Sequence, residues 1–134
     1  MTDPAPSFPT PDDLAPGPGY SHVVALPPGR MVWTSGQVAI RPDGTVAGEE
    51  GLEAQTRLAF ENVGRALEAG GATWADVVKL TMFLTRVDDL PTVRTIRDEF
   101  VDTTRPPTST LVQVAGLVLP GLLIEVEAMA WTAG

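Results

Sequence analysis

The sequence is notable first for the reactive side chains that it lacks. The 134 residues include no cysteine, which excludes disulfide bonds, thiol nucleophiles and zinc–thiolate sites. They include a single histidine, His22, so catalysis by a pair of histidines is excluded as well. No histidine base is evident beside Ser35 in the sequence, since His22 is the only one, and this argues against a Ser-His-Asp hydrolase.

Basic residues are also scarce, with nine Lys and Arg against 17 Asp and Glu, for a net charge of −8. Binding to a phosphate backbone requires a basic surface, so we expect no nucleic acid partner. Every apolar run is far shorter than the roughly 18 residues of a membrane-spanning helix, so we expect no membrane partner either. No basic segment followed by an apolar run opens the sequence, and we take the cytoplasm as the expected location.

The residues that are present predict one folded domain. Hydrophobic residues make up 43% of the chain and charged residues 19%, a balance that supports a buried core. Six of the first 19 residues are proline, which removes backbone donors and fixes φ. We therefore predict an extended proline-rich arm over residues 1–19 and a single domain over residues 20–134.

The hydrophobic periodicity predicts an α+β fold with one mixed β-sheet and two helices on one of its faces. The second helix should be capped by Asp88 or Asp89 and should bury a stripe that includes Arg97 among apolar residues. Asp-Gly at 43–44 predicts a hairpin turn. The predicted strands are 22–26, 31–35, 77–85, 110–115 and 122–131, the hairpin is 37–47, and the helices are 51–69 and about 90–101.

The last predicted strand alternates in character, with Ile124, Val126, Ala128 and Ala130 on one side and Glu125, Glu127 and Met129 on the other. The first set suits a face that is covered by the helices. The second set is too mixed for ordinary solvent-exposed surface, which indicates that another copy of the chain covers it.

Several short motifs are spread along the chain. They are Gly17-Pro18-Gly19-Tyr20, Thr34-Ser35-Gly36-Gln37, Asn62-Val63, residues 79–84, residues 107–117 and Ile124-Glu125-Val126-Glu127-Ala128. Together they make the chain similar to the RidA (YjgF) family, over about residues 18–130. The resemblance implies a chorismate-mutase-like homotrimer with a central β-barrel, and hydrolysis of reactive imines or enamines in clefts between subunits. It implies no cofactor and no metal.

By this resemblance, Glu125 matches the carboxylate that positions or activates water in the deaminases of the family. Tyr20, Ser35 and Gly36 match residues that line the cleft, and the backbone at Ser109-Thr110 is placed to orient a C=N group. Each has a simpler alternative: a salt bridge or interface hydrogen bond for Glu125, a loop-packing role for Tyr20, and a bulge or turn for Ser35-Gly36.

The sequence departs from the family at one cation. The deaminases of the family carry an arginine two residues after the proline that corresponds to Pro107, where it grips the substrate carboxylate, and this chain has Ser109 there. Arg94 stands on the second helix where the family commonly has asparagine. Arg94 either takes over the anion contact, or is an ordinary exposed residue of a site that has changed its ligand.

Three functions follow from these observations. The favoured one is hydrolysis of a small imine or enamine, with Glu125 acting on water and Arg94 as anion anchor. The alternative is a trimer that binds a small ligand or a protein and has lost catalysis. An RNA-cleaving role ranks third, because the chain is acidic and has no histidine pair.

Overall fold

The structure is a computed structural model that describes residues 4–134. It has four strands, two α-helices and one short 3₁₀ helix over Trp74–Asp76. The α+β class predicted from the sequence is confirmed. In chain order the elements are β1 (Arg30–Trp33), α1 (Leu52–Ala69), β2 (Val77–Leu84), α2 (Leu90–Phe100), β3 (Thr108–Gln113) and β4 (Ile124–Thr132).

The four strands form one mixed sheet in the order β1-β4-β2-β3. β4 pairs antiparallel with both β1 and β2, whereas β3 pairs parallel with β2 and forms an edge. The predicted central position of strand 77–85 is confirmed, since β2 lies between β4 and β3. The register places Glu125 opposite Phe83 and Glu127 opposite Thr81.

Both helices cover one face of the sheet, which we call the helix face. From β4 this face receives Ile124, Val126, Ala128 and Ala130, each at most 3% exposed. Glu125, Glu127 and Met129 are half-buried on the other side, which we call the open face. The alternation predicted from the sequence is therefore confirmed, because successive side chains of a strand point to opposite faces.

Local signals explain where the helices begin and end. The N-cap of α2 is Asp89, whose carboxylate accepts a hydrogen bond from the backbone of Thr92 at 3.3 Å. Pro91 lies in the first turn, where its missing N–H has no helical partner to lose. α1 ends at Gly70, and Gly71 follows in the left-handed region with φ of 85°.

Two predicted elements differ in the structure. The predicted strand 22–26 is wrong, because this segment makes only one isolated bridge, from Ala25 to Ser7, while the preceding Ser21 bridges Thr108. Changing partner within five residues leaves no continuous ladder. The predicted hairpin 37–47 forms over a shorter stretch, in which Ala47 donates to Ala39, Arg41 donates to Thr45, and Ile40 makes an antiparallel bridge to Val46.

The proline-rich segment, of which residues 1–3 lie outside the described residues, packs against the domain. Ser7 and Ala25 exchange backbone hydrogen bonds of 2.8 and 2.9 Å. Arg105 donates to the carbonyl of Pro6 and lies 4.4 Å from the ring centroid of Phe8, a cation–π contact. The loop that carries Arg105 is itself ordered by Asp102, whose pKa is lowered by hydrogen bonds from the Thr104 side chain and backbone.

Candidate active site

A β-bulge follows β1 and projects Ser35 and Gly36 out of the pairing with β4. Thr34 donates to the carbonyl of Ala128 at 3.0 Å, and Gln37 donates to that of Val126 at 2.7 Å. Two residues, Ser35 and Gly36, thus lie opposite a single residue of β4, Glu127. A bulge of this kind redirects the chain locally, and here it places the Gly36 backbone beside the Glu125 side chain of β4.

Gly36 lies directly against the carboxylate of Glu125. A Cβ atom placed on Gly36 would lie 2.5 Å from Glu125 Oε2 and 2.9 Å from its Cγ. The closeness of this contact therefore requires glycine, since any side chain would displace the carboxylate. The strand segment after the bulge is held by Asn62 of α1, whose amide donates to the carbonyls of Val38 and Ile40 at 3.1 and 2.8 Å.

The Glu125 carboxylate is half-buried on the open face, opposite Phe83 of β2. It has no ion-pair partner and no side-chain hydrogen bond among residues 4–134. A carboxylate in this state has its proton-accepting oxygens free for water or a ligand. Its neighbour Glu127 shares the face but lies one pair further along, opposite Thr81.

The loop before the first strand carries Tyr20 and folds tightly around it. A Cβ atom on Gly17 would fall 2.0 Å from Tyr20 Cζ, so the ring rests on the Gly17 backbone. His22 packs edge-on against the same ring with centroids 5.3 Å apart, and its Nε2 lies 2.6 Å from the carbonyl of Ala15. A cavity of about 800 Å³ opens beside Tyr20, between the proline-rich segment and residues 104–106.

The remaining predicted site residues, Ser109, Thr110 and Arg94, do not lie together in one chain. Thr110 lies on the open face and its hydroxyl accepts a 2.7 Å hydrogen bond from Lys79 Nζ. Ser109 alternates with it and therefore lies on the helix face, the side on which Leu111 joins the core. Arg94 is exposed on α2 and makes no hydrogen bond or salt bridge with any other described residue.

Within one chain the predicted site residues thus form two groups. Glu125 and Gly36 make one on the open face, while Tyr20 lies in the loop bridged to the start of β3 at Thr108, near Ser109. β2 stands between β4 and β3, a separation of about 10 Å at normal strand spacing. Ser109 and Glu125 also point to opposite faces.

The predicted set omits Arg97, which the structure buries on α2 with a side-chain exposure of 7%. The helical periodicity of the sequence predicts only that it belongs to the buried stripe of this helix. The signal that was available is the presence of a cation at a helical spacing otherwise occupied by Val93, Ile96 and Phe100.

In residues 4–134, no group of three or more His, Asp or Glu side chains is arranged to hold a metal ion. In the same part of the chain, no helix combines the length and the apolar character needed to cross a membrane.

Known proteins are similar to this chain in sequence and in fold. A family model described as Endoribonuclease L-PSP matches residues 10–132. The 2-iminobutanoate/2-iminopropanoate deaminase of Salmonella typhimurium is 36% identical over 111 residues, which cover 81% of this chain and 85% of that protein.

Two solved structures are similar over most of their length. A Rid-family protein of Yersinia pestis, YyfB, has 32% identity and a TM-score of 0.84, and the alignment covers 95% of this chain and 98% of that one. Escherichia coli TdcF with bound serine has 36% identity and a TM-score of 0.69, covering 88% and 91%.

The mixed four-stranded sheet with two helices on one face defines a small α+β protein of the type that these structures share. The chain belongs to the RidA (YjgF) family.

Proposed function

We propose that this protein hydrolyses a small reactive imine or enamine, in a cleft completed by a second copy of the chain. The observation that carries the proposal is the contact between Glu125 and Gly36, which leaves a half-buried carboxylate without a charged partner among the described residues. Such a carboxylate is suited to general acid–base work on water.

The chemistry requires few groups. Glu125 accepts a proton from a bound water molecule while the water oxygen bonds to the carbon of the C=N group, and the nitrogen takes up a proton. Collapse of the resulting carbinolamine breaks the C–N bond, returns a proton to the nitrogen and releases ammonia with a carbonyl product. The overall balance is imine plus water to carbonyl compound plus ammonia, and an enamine enters after tautomerising to the imine.

The separation of the predicted residues supports a cleft between two copies. Tyr20, Ser109 and the start of β3 lie apart from Glu125 in one chain, so a neighbouring chain would supply them. The exposed apolar residues Trp33 and Val112, 70% and 41% exposed, belong to strands at the edges of the sheet and favour a covered open face. We propose a homotrimer in which the three sheets close into a barrel.

The relatives support the same chemistry at a coarser level. One is named a 2-iminobutanoate/2-iminopropanoate deaminase, and TdcF is described with serine bound, so the similar proteins act on or bind small amino-acid-like molecules. We extend this class of ligand to the present chain.

A coupled assay tests the proposal. An amino-acid oxidase generates imines from a panel of amino acids, and ammonia release is timed with the native protein, Glu125→Gln and Glu127→Gln. General acid–base catalysis is typically worth about 10²–10⁴-fold, so Glu125→Gln should lose most of the acceleration. Glu127→Gln is the matched control, two residues along the same face, and should retain it.

Two outcomes contradict the proposal in different ways. Equal loss in both variants would assign the effect to the charge of the open face and not to Glu125. No acceleration by the native protein with any imine would favour the alternative of a trimer that binds a small ligand without catalysis.

A further inference from the structure

Arg97 is the only charged residue that the structure buries within residues 4–134. It lies on α2 beside Ile96 and one turn from Val93, which are 2% and 0% exposed. A buried guanidinium loses its hydration, and this is strongly unfavourable unless hydrogen bonds and an opposite charge compensate. The position of the side chain therefore calls for a partner.

Within the described residues, only part of the Arg97 guanidinium has a hydrogen-bond partner. Arg97 Nε donates to Asp98 Oδ1 at 2.9 Å, and the Asp98 side chain remains 45% exposed. Neither terminal amine, Nη1 or Nη2, makes a hydrogen bond to any residue from 4 to 134. Three side-chain atoms in this part of the chain are fully buried without a hydrogen-bond partner: Thr56 Oγ1, Trp74 Nε1 and Thr132 Oγ1. Neither terminal amine of Arg97 is one of them. Within residues 4–134 both amines therefore lack a hydrogen-bond partner, and neither is fully buried.

The two amines lie against the backbone of Gly19. A Cβ atom at this residue would lie 2.2 Å from Nη2 and 3.4 Å from Nη1, and the φ of 74° also favours glycine. The segment continues to Ser21, which donates to the carbonyls of Pro107 and Pro106 at 3.1 and 2.5 Å. Arg97 is thus positioned where the Tyr20 loop meets the start of β3.

The other cations near this region have different surroundings. Arg105 is occupied by the Pro6 carbonyl and the Phe8 ring, and Lys79 donates to Thr110 on the open face. Arg94, the anion anchor expected from the sequence, is exposed on α2. Among the cations of residues 4–134, only Arg97 is buried, and its two terminal amines have no hydrogen-bond partner in that part of the chain. A carboxylate accepts two such donors as a bidentate pair.

We propose that Arg97 binds the carboxylate of the ligand through its two terminal amines, beside the Gly19–Ser21 segment. The ligand class is then a small monocarboxylate, and for the reaction proposed above a 2-imino acid with its 2-oxo acid product. The identity of the substrate rests on that proposed function, whereas the binding of a carboxylate does not. The −8 net charge repels anions in general, so a specific donor pair is needed to retain one.

Calorimetric titration with 2-oxobutanoate and with its neutral amide tests the inference. The native protein should bind the acid more tightly than the amide. Loss of two charge-assisted hydrogen bonds should weaken binding of the acid by roughly 100-fold or more in Arg97→Met and leave the amide unaffected. Arg97→Lys keeps the positive charge but loses the paired donors of the guanidinium, so its affinity for the acid should lie between those of the native protein and Arg97→Met. Arg86→Met, at an exposed arginine paired only with Asp88, is the matched control.

Four results would overturn the inference: equal affinity of the native protein for acid and amide, no binding of the acid at millimolar concentration, an unchanged Kd in folded Arg97→Met, or a larger loss in Arg94→Met. The comparison of acid with amide needs no variant, so it decides the matter even where a substitution prevents folding.

The imine assay separates this inference from the proposed function. Arg97→Met should raise KM for imino acids more than it lowers kcat. Hydrolysis with an unchanged KM would sustain the function and reject the anchor. If binding of the acid depends on Arg97 but no imine is hydrolysed, the anchor is sustained and the proposed function is rejected.

Discussion

At the scale of the residue, the candidate site depends on a glycine as much as on a carboxylate. Gly36 allows the backbone of the bulge to approach Glu125 at a distance that excludes a side chain. The neighbouring atoms belong to the end of a flexible glutamate and not to the backbone. A methyl group at this position would therefore move the carboxylate without disrupting the sheet.

This reasoning predicts the effect of Gly36→Ala. The added methyl group would displace the Glu125 carboxylate, so imine hydrolysis should fall at least tenfold, since displacement of about 1 Å can cost 10²-fold in rate. The melting temperature should change little. Gly116→Ala is the control, because a Cβ atom there meets nothing within 4 Å and the residue does not have a positive φ. A variant that keeps full activity would mean that catalysis does not depend on this position of the carboxylate.

The sequence predicted part of this residue-level picture. Resemblance singled out Glu125 and Gly36, and the structure places them in contact. Arg97 was missed because helical periodicity assigns a buried stripe without showing whether a cation in it is fully paired. The opposite orientations of Ser109 and Thr110 depend on the register of β3 against β2, which one sequence does not specify.

At the scale of the element, α2 has two roles, since it closes the core and carries Arg97. Its 11 residues are too few for a stable isolated helix, so it depends on packing and on its cap. Asp89 receives hydrogen bonds from both the backbone and the hydroxyl of Thr92, the latter at 2.7 Å.

Removal of the cap should weaken the whole domain. We expect Asp89→Ala to lower the free energy of unfolding by about 1 kcal/mol, the usual cost of losing such a cap. Chemical denaturation measures the change. Asp88→Ala, which removes only an exposed contact with Arg86, should cost less, because surface ion pairs contribute little. Equal losses in the two variants would show that Asp89 acts through charge and not as a cap.

The elements also differ in how well the sequence predicts them. Both helices were predicted to within about a residue, because their apolar stripes and caps are local signals. β3 begins two residues before its predicted start, and the predicted strand 22–26 is not a strand. A strand exists only through its partners, and an apolar run does not reveal whether a partner continues alongside it.

At the scale of the whole molecule, the two sides of the sheet differ. The helix face is closed, whereas Trp33 is 70% exposed although it pairs with Met129 within the sheet. The sequence predicted that a second copy covers the open face, but the structure of one chain does not test this, so the homotrimer stays a prediction.

Assembly can be tested by light scattering, which should give three times the chain mass of 14.2 kDa. Trp33→Glu places a charge on the open face and should shift the mass toward that of a monomer. Val118→Glu is the control, since Val118 is equally apolar, 74% exposed and outside the strands. A native protein with the mass of one chain would reject both the trimer and the shared cleft.

The position of β4 in the chain has a consequence for synthesis in the cell. β4 comes last of the described elements, yet it joins β1 to β2 and has Glu125 within it. During translation both helices leave the ribosome before β4, the strand that connects β1 to the rest of the sheet. Until β4 has been synthesised, the nascent chain therefore exposes the apolar sides of β1 and β2, a state in which chaperone binding and translation speed affect the yield of folded protein.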